Sequence, residues 1–324
     1  MRKSLLTIIL IFFCIITINA QTFVSTQPEN KNVILEEFTG ISCGFCPDGH
    51  VVAKGIVNGA PNDVAVINIH ATSFANPQGA GTDFRTSAGT SINGYWNNTS
   101  APMGTVSRNS APVGRGSWAS ATQAVLAQLS PVNVALLASV DMNSNVLTVD
   151  VEVYYTGSQT VSSNKLSIAI VQNNVLGPQT NGAVYNPSAI DPVTGLYTHN
   201  HMLRHMMTGT WGTTISSINQ GDFFSDQYTW SIPTNINGVA VDPTNLGVIA
   251  FVSEDNQNIL SGTVEVTPQI IFANSFDAYC VSASANDAIC GSNTDIEVTF
   301  RNYGNIPLTS LDIDYSINGG IIQN

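Results

Sequence analysis

Cys43-Gly44-Phe45-Cys46 sets two thiols two residues apart, directly behind the apolar run Val33 to Phe38. Cysteines at this spacing serve three chemistries. At a helix N-terminus, unpaired backbone N–H groups and the helix dipole stabilise a thiolate on the first cysteine. The second cysteine, one turn along, then attacks a mixed disulfide and releases the substrate. The same pair is half of a metal site if Cys43, Cys46, His50 and His70 converge, since Cys46 and His50 lie one helical turn apart. Thirdly, an exported chain can close such a pair into an inert structural disulfide. Redox chemistry needs a strand leading in and a helix following, and the sequence supplies both: VILEEF reads as a strand and Cys46 to about Asn58 as a helix.

Two other groups of residues invite a chemical reading. HNHMLRHMM (His199 to Met207) holds three of the five histidines and three of the six methionines. Imidazole with thioether suits copper, and imidazole alone suits zinc, which makes His199, His201 and His205 weak metal candidates. The plainer reading is a segment that packs Met202, Leu203 and Met206 against a core while its histidines form hydrogen bonds. Cys280 and Cys290 flank a short loop with no helix start or base nearby, so they are expected to form a structural bridge. No cofactor is expected.

The chain is expected to be exported. Arg2 and Lys3 precede an apolar run from Leu5 to Ile18, and Ile18-Asn19-Ala20 ends it, which marks residues 1–20 as a signal peptide. Phe12-Phe13 before Cys14 lacks the small residues that lipoprotein processing wants. Removing the leader takes two positive charges from a net −12 and leaves −14. A chain this acidic has no electrostatic footprint for nucleic acid.

The elements that must position these residues change character along the chain. Residues 31–130 alternate types. Strands are expected at 33–38, 63–70 and 103–108, and helices after Cys46, weakly over 83–96, and over 118–129; this order suits an α/β domain. From Pro131 the pattern turns to short strands, at 132–140, 146–155, 166–172, 228–232, 246–253 and 262–266, which suits a β-sandwich over 131–268. One long connection, 173–227, interrupts it, and connections of that length are often functional. Residues 272–324 hold two more expected strands, at 295–302 and 311–317. These are too few to bury a sandwich core, so this segment reads as an incomplete immunoglobulin-like domain.

VILEEFTGISCGFC resembles the strand–loop–helix entry of the thioredoxin superfamily. The resemblance implies that Glu37, six residues before Cys43, is a buried acid that takes the proton from the resolving Cys46. It implies that Pro102, in SAPMGTVSR, is the superfamily's cis-proline, beside which an extended peptide docks. Ser42 stands where thioredoxins usually have Trp and Phe45 where they have Pro, which brings the centre closer to extracytoplasmic disulfide isomerases. Together with WASATQAVLAQLSPVNVALLASVD and YTHNHMLRHMM, these motifs are similar to the Bacteroidota outer-membrane protein family named after a 28-kilodalton surface antigen. That similarity implies an α/β thioredoxin-like N-terminal domain followed by all-β sandwich (immunoglobulin-like) domains, placed in the outer membrane, at the cell surface or outside the cell. Two functions follow. One is a thiol–disulfide oxidoreductase or isomerase acting on exported protein or peptide thiols and disulfides, in contact with outer-membrane or secretion machinery. The other is a surface binding or adhesion module with the thioredoxin-like domain as scaffold. The enzyme needs an exposed Cys43 sulfur beside a cis Pro102, whereas a bridge covered by residues 72–100 favours the scaffold.

Overall fold

Every residue of Val33–Thr39 (β1) and Val64–His70 (β2) is buried, which explains why both read as near-continuous apolar runs. The computed structural model describes residues 23–271, 278–285, 296–302 and 306–316. β1 and β2 are parallel, with Val33 opposite Val64, and the crossover between them is the helix Cys46–Gly59 (α1). After β2 come a second helix, Ser87–Tyr95 (α2), two short strands, Met103–Val106 (β3) and Val113–Gly114 (β4), and a third helix, Trp118–Leu126 (α3). Because successive strand residues face opposite ways, Ile34, Phe38, Ile67 and Ile69 pack with Ala88 and Ile92 of α2. Val33, Leu35, Val64 and Val66 pack on the other face with Ala53 of α1 and with Trp118 and Val125 of α3. Gly104 has to be glycine, since a Cβ there would lie 2.9 Å from the Trp118 indole.

The chain then becomes almost wholly β. Val132–Asp141 (β5) and Val146–Tyr155 (β6) form a hairpin, and Asn164–Gln172 (β7) follows. The expected long connection is not a loop. It holds Val175–Gly177 (β8), a short helix Gly182–Tyr185 (α4), Tyr197–His199 (β9), Met202–Met206 (β10), Thr213–Ile215 (β11) and the start of Phe223–Ser231 (β12). Asn235–Ile236 (β13) and Val239–Ala240 (β14) make a small hairpin before Leu246–Glu254 (β15), Gln257–Gly262 (β16) and Gln269–Ile271 (β17). The strand expected at 262–266 therefore sits earlier, and Val266 makes only an isolated bridge to Val248. Ala278–Ala285 (β18) and Ile296–Asn302 (β19) pair antiparallel, while residues 311–314, expected to be part of a strand, have no regular structure. Among the described residues no helix is long and apolar enough to cross a membrane.

The result is a mostly β molecule with mixed sheets and few helices. One sheet of four strands runs β12-β6-β5-β17. The larger, of nine strands, runs β16-β15-β7-β10-β2-β1-β3-β4, with β11 also on β7, and so crosses residue 130 without a break. The join is β10 beside β2, in parallel, where Asn68 N–H donates to the His201 carbonyl at 2.8 Å and the Asn68 side chain donates to the Asn200 carbonyl at 2.8 Å. β7 and β15 lie between two cores. Leu166, Ile168, Ile170, Val248 and Val252 face the smaller sheet, while Ala169, Val171, Ile249 and Phe251 face the other way, toward α2.

Glu36 and Arg108 fasten the inner face. Both are 1% exposed, and the guanidinium donates two hydrogen bonds to the carboxylate, at 2.8 and 2.5 Å. It also lies over the rings of Trp211 and Phe251, at 5.5 and 5.3 Å. Removing one member of such a pair strands the other charge in the core. Glu36→Ala is expected to cost about 3–5 kcal/mol in urea denaturation, while replacing both residues by Met recovers most of that loss.

Candidate functional site

α1 begins at Cys46, with Pro47 in its first turn, where the missing proline N–H costs nothing. Cys43 and Cys46 are joined in a disulfide with their Cα atoms 5.4 Å apart. Glu37 lies on the β1 face that looks toward α1, against the first turn of that helix. A Cβ on Gly49 would come within 2.6 Å of Glu37 Oε1 and 3.0 Å of Pro102 Cβ. Glycine at position 49 therefore lets the first turn of α1, the carboxyl and the proline meet. The Ala101–Pro102 bond is cis. Glu37 and Pro102, which the thioredoxin resemblance singled out, both lie against Gly49 in the first turn of the helix that Cys46 opens.

Glu37 is wholly buried, and neither of its oxygens has a hydrogen-bond partner among the described residues. Burial pushes its carboxyl well above the usual range, with Arg115 pulling weakly the other way. His50, one turn into α1, places Nε2 3.8 Å from Glu37 Oε1 and 3.0 Å from Thr39 Oγ1. Its Nδ1 meets the Tyr197 hydroxyl at 2.8 Å, and Asn186 donates to that hydroxyl at 2.9 Å. Tyr197, Asn186 and His50 line a cavity of about 380 Å³ that Lys54, Asn68 and His201 also border.

The disulfide is covered: Cys43 is 2% exposed and Cys46 is fully buried. Residues 72–100 pack on the start of the loop: Phe74 and Ala75 lie against Gly40, Phe84 packs with Ile41, and Ser42 N–H donates to the Phe74 carbonyl at 2.9 Å while its hydroxyl accepts from Gln78 at 2.7 Å. The closer cover is the stretch around α4. Gln179 donates to the Cys43 carbonyl at 2.9 Å, Thr180 N–H to the Ile41 carbonyl at 2.8 Å, and Asn181 lies against Gly44. Tyr185 stacks on Phe45, with ring centres 5.3 Å apart. The exposed sulfur that the enzyme reading needs is therefore not present in this state: the bridge is buried, with the stretch around α4 lying on the motif itself and residues 72–100 on the loop before it. The roles of Gln179 and Tyr197 could not be picked out from sequence, because each lies more than 130 residues from the group it meets, and Asn186 acts through Tyr197. The length of the connection that carries them, and the YTHNHMLRHMM motif that Tyr197 opens, were the signals.

The three histidine candidates do not converge. His199 points inward, its ring centre 5.3 Å from that of His70 and 4.9 Å from those of Phe84 and Tyr197. His201 turns to Glu265, with Nδ1 2.5 Å from Oε2. His205 stacks on Trp230 at 5.0 Å. Met202, Leu203 and Met206 pack into cores as the plainer reading held. Among the described residues no three His, Cys, Asp or Glu side chains are placed to hold a metal ion. Cys280 lies on β18, and Cys290 lies outside the described residues, so their expected bridge does too.

The family described as Outer membrane protein Omp28 matches residues 90–274. The chain belongs to the Omp28 family. It is accordingly an exported protein of the outer membrane or cell surface. No curated protein matches it. Among solved structures, HBP35 of Porphyromonas gingivalis aligns over 83% of this chain and 85% of its own, at 17% identity and a TM-score of 0.52, a likeness of fold. A domain of the outer membrane lipoprotein Omp28 from Porphyromonas gingivalis aligns over 44% of this chain and 90% of its own, at 14% identity and a TM-score of 0.29.

The buried histidines give this site a pH signature. Burial lowers His50 to about 3 and His199 to about 4, and holds His70 well below its usual value; His199 and His201 repel further charge on His50. The unfolded chain takes up these protons near pH 6.5 while the folded chain refuses them. The unfolded state therefore binds more protons between about pH 6.5 and 4, and stability is lost as pH falls through that window. Urea midpoints are expected to drop steadily from pH 7 to pH 4, and His199→Gln is expected to flatten that slope.

Proposed function

We propose that this protein is a thiol–disulfide oxidoreductase of the cell envelope, built on a thioredoxin-like unit over residues 31–130. In this reading the sandwich over 131–268 and the immunoglobulin-like segment 272–324 hold the unit at the surface. The observation that carries the reading is Glu37, an unpartnered buried carboxyl against the first turn of the helix that a C-x-x-C disulfide opens, beside a cis-proline. Burial raises the proton affinity of this acid well above that of a free carboxyl, so it is suited to holding a proton that the resolving thiol gives up. The fold shared with HBP35 supports the architecture alone.

In the reaction, the reduced Cys43 thiolate attacks a sulfur of a substrate disulfide, forming a mixed disulfide and expelling one substrate thiolate. Cys46 gives its proton to Glu37, attacks Cys43 Sγ, and expels the second thiolate. Two substrate thiols are made as the Cys43–Cys46 dithiol becomes a disulfide. Substrates are exported proteins or peptides, and Pro102 holds their extended backbone. Outer-membrane or secretion machinery is the setting in which such partners would be met. Entry requires the cover around α4 to lift from Cys43. That cover is also the observation that favours the second reading, a surface binding module whose disulfide is structural.

Insulin reduction by the full chain, with dithiothreitol as the reductant that returns Cys43–Cys46 to the dithiol after each cycle, separates the two. The oxidoreductase predicts turnover above background that Cys43→Ser abolishes and Glu37→Gln slows by about 100-fold. Equal background rates for wild type and Cys43→Ser would leave the binding module standing.

A further inference from the structure

A proton taken by Glu37 has no direct way out. Glu37 and Cys46 are both fully buried, so the carboxyl that serves the resolving cysteine is sealed from water by the helix and proline it touches. Among the described residues a chain of polar atoms leads away from it. From Glu37 Oε1 the next group is His50 Nε2 at 3.8 Å, so transfer requires the two to draw closer into hydrogen-bond distance. From His50 Nδ1 the next is the Tyr197 hydroxyl at 2.8 Å, and that residue lines the 380 Å³ cavity. The other nearby candidates are dead ends: both nitrogens of His70 and Nδ1 of His199 have no partner among the described residues.

We propose that His50 and Tyr197 form a proton relay that empties and refills Glu37 through this cavity, with Asn186 positioning the tyrosine hydroxyl. The proposal rests on the redox reading above and adds to it a route supplied by the segment that covers the disulfide. In the tautomer with the proton on Nδ1, His50 donates to the Tyr197 oxygen, which also accepts from Asn186, leaving the hydroxyl proton directed away from both. The Nε2 lone pair then faces Thr39 and Glu37. As protonated Glu37 passes its proton to Nε2, Nδ1 releases its own to Tyr197, and the hydroxyl proton leaves into the cavity. No charge accumulates on the imidazole. That matters because His199 and His201 face the same ring and burial already opposes a cation there. Arg115 acts on Glu37 from the other side and favours its ionised form, while Glu37 in turn raises the cost of ionising Tyr197. His70 and Lys54 complete the titratable surroundings.

The test is single turnover of the reduced full chain with dithiobis-nitrobenzoate, which releases one thionitrobenzoate as Cys43 attacks and a second as Cys46 resolves. Tyr197→Phe keeps the ring and removes the relaying hydroxyl. It is expected to slow the second release by about 10-fold, to shift the pH profile of that step, and to leave the first release unchanged. His50→Ala is expected to do the same, with added imidazole restoring the rate through the cavity. If Tyr197→Phe leaves the second release and its pH profile untouched while Glu37→Gln slows it, the relay is wrong and the redox reading stands. Equal slowing of both releases by Tyr197→Phe would reduce the tyrosine to a packing role and overturn the relay. If the reduced wild type shows no second release, both readings fall together. Should His50→Ala not fold, Tyr197→Phe decides alone.

Discussion

β1 is buried on both faces, so any ionisable side chain it carries must find a partner or stay neutral. It carries two in succession. Glu36 points to the inner face and takes the whole fork of Arg108. Glu37, one residue on, points to the other face and takes no hydrogen bond among the described residues. The period of two that separates them also divides their work. One carboxylate is spent on holding β1, the turn after β3 and the ring of Trp211 together. The other is left buried against the first turn of α1 with no hydrogen bond of its own among the described residues.

The rest of the site depends on how closely chain segments approach Glu37. Gly49 permits α1 to lie on the carboxyl, and the cis bond before Pro102 brings a second segment to the same point. The third approach comes from far away in sequence. β10 joins β2 side by side, which lays the preceding stretch, residues 175–199, across the mouth of the disulfide loop. A sheet that runs unbroken from β16 to β4 thus gives the centre a roof made by the second half of the chain. That roof buries the sulfurs and supplies the tyrosine that reaches His50, with the asparagine that donates to its hydroxyl.

Much of the fold was legible because its signals are local. A doubly buried strand shows as an apolar run, as in VAVINIH, and a hairpin shows as two runs around a turn, as in β5 and β6. Helix α1 was legible from Cys46 and Pro47 at its start. The misreadings have equally local causes. The strand placed at 262–266 was shifted because Gln257 and Asn258, which open β16, are polar edge residues. Simple alternation along an extended segment would put His199 and His201 on one side. β9 instead ends at His199, and His201 adopts φ 53°, which turns its ring toward Glu265. A single left-handed residue resets the alternation on which the inference depended.

By itself the sequence determined the acidic composition, the β-rich character and the thiol pair with its acid six residues upstream. Each of these is set by residues close together in the chain, where spacing alone fixes geometry. Tertiary structure alone decided that the disulfide is covered, which segment covers it, that the metal candidates part company, and that His50 meets Tyr197. Those outcomes follow from the pairing of β10 with β2, a contact across 132 residues between Asn68 and Asn200. Hydrophobic patterning specifies which face of a strand is buried, but it does not specify which distant strand will lie beside it.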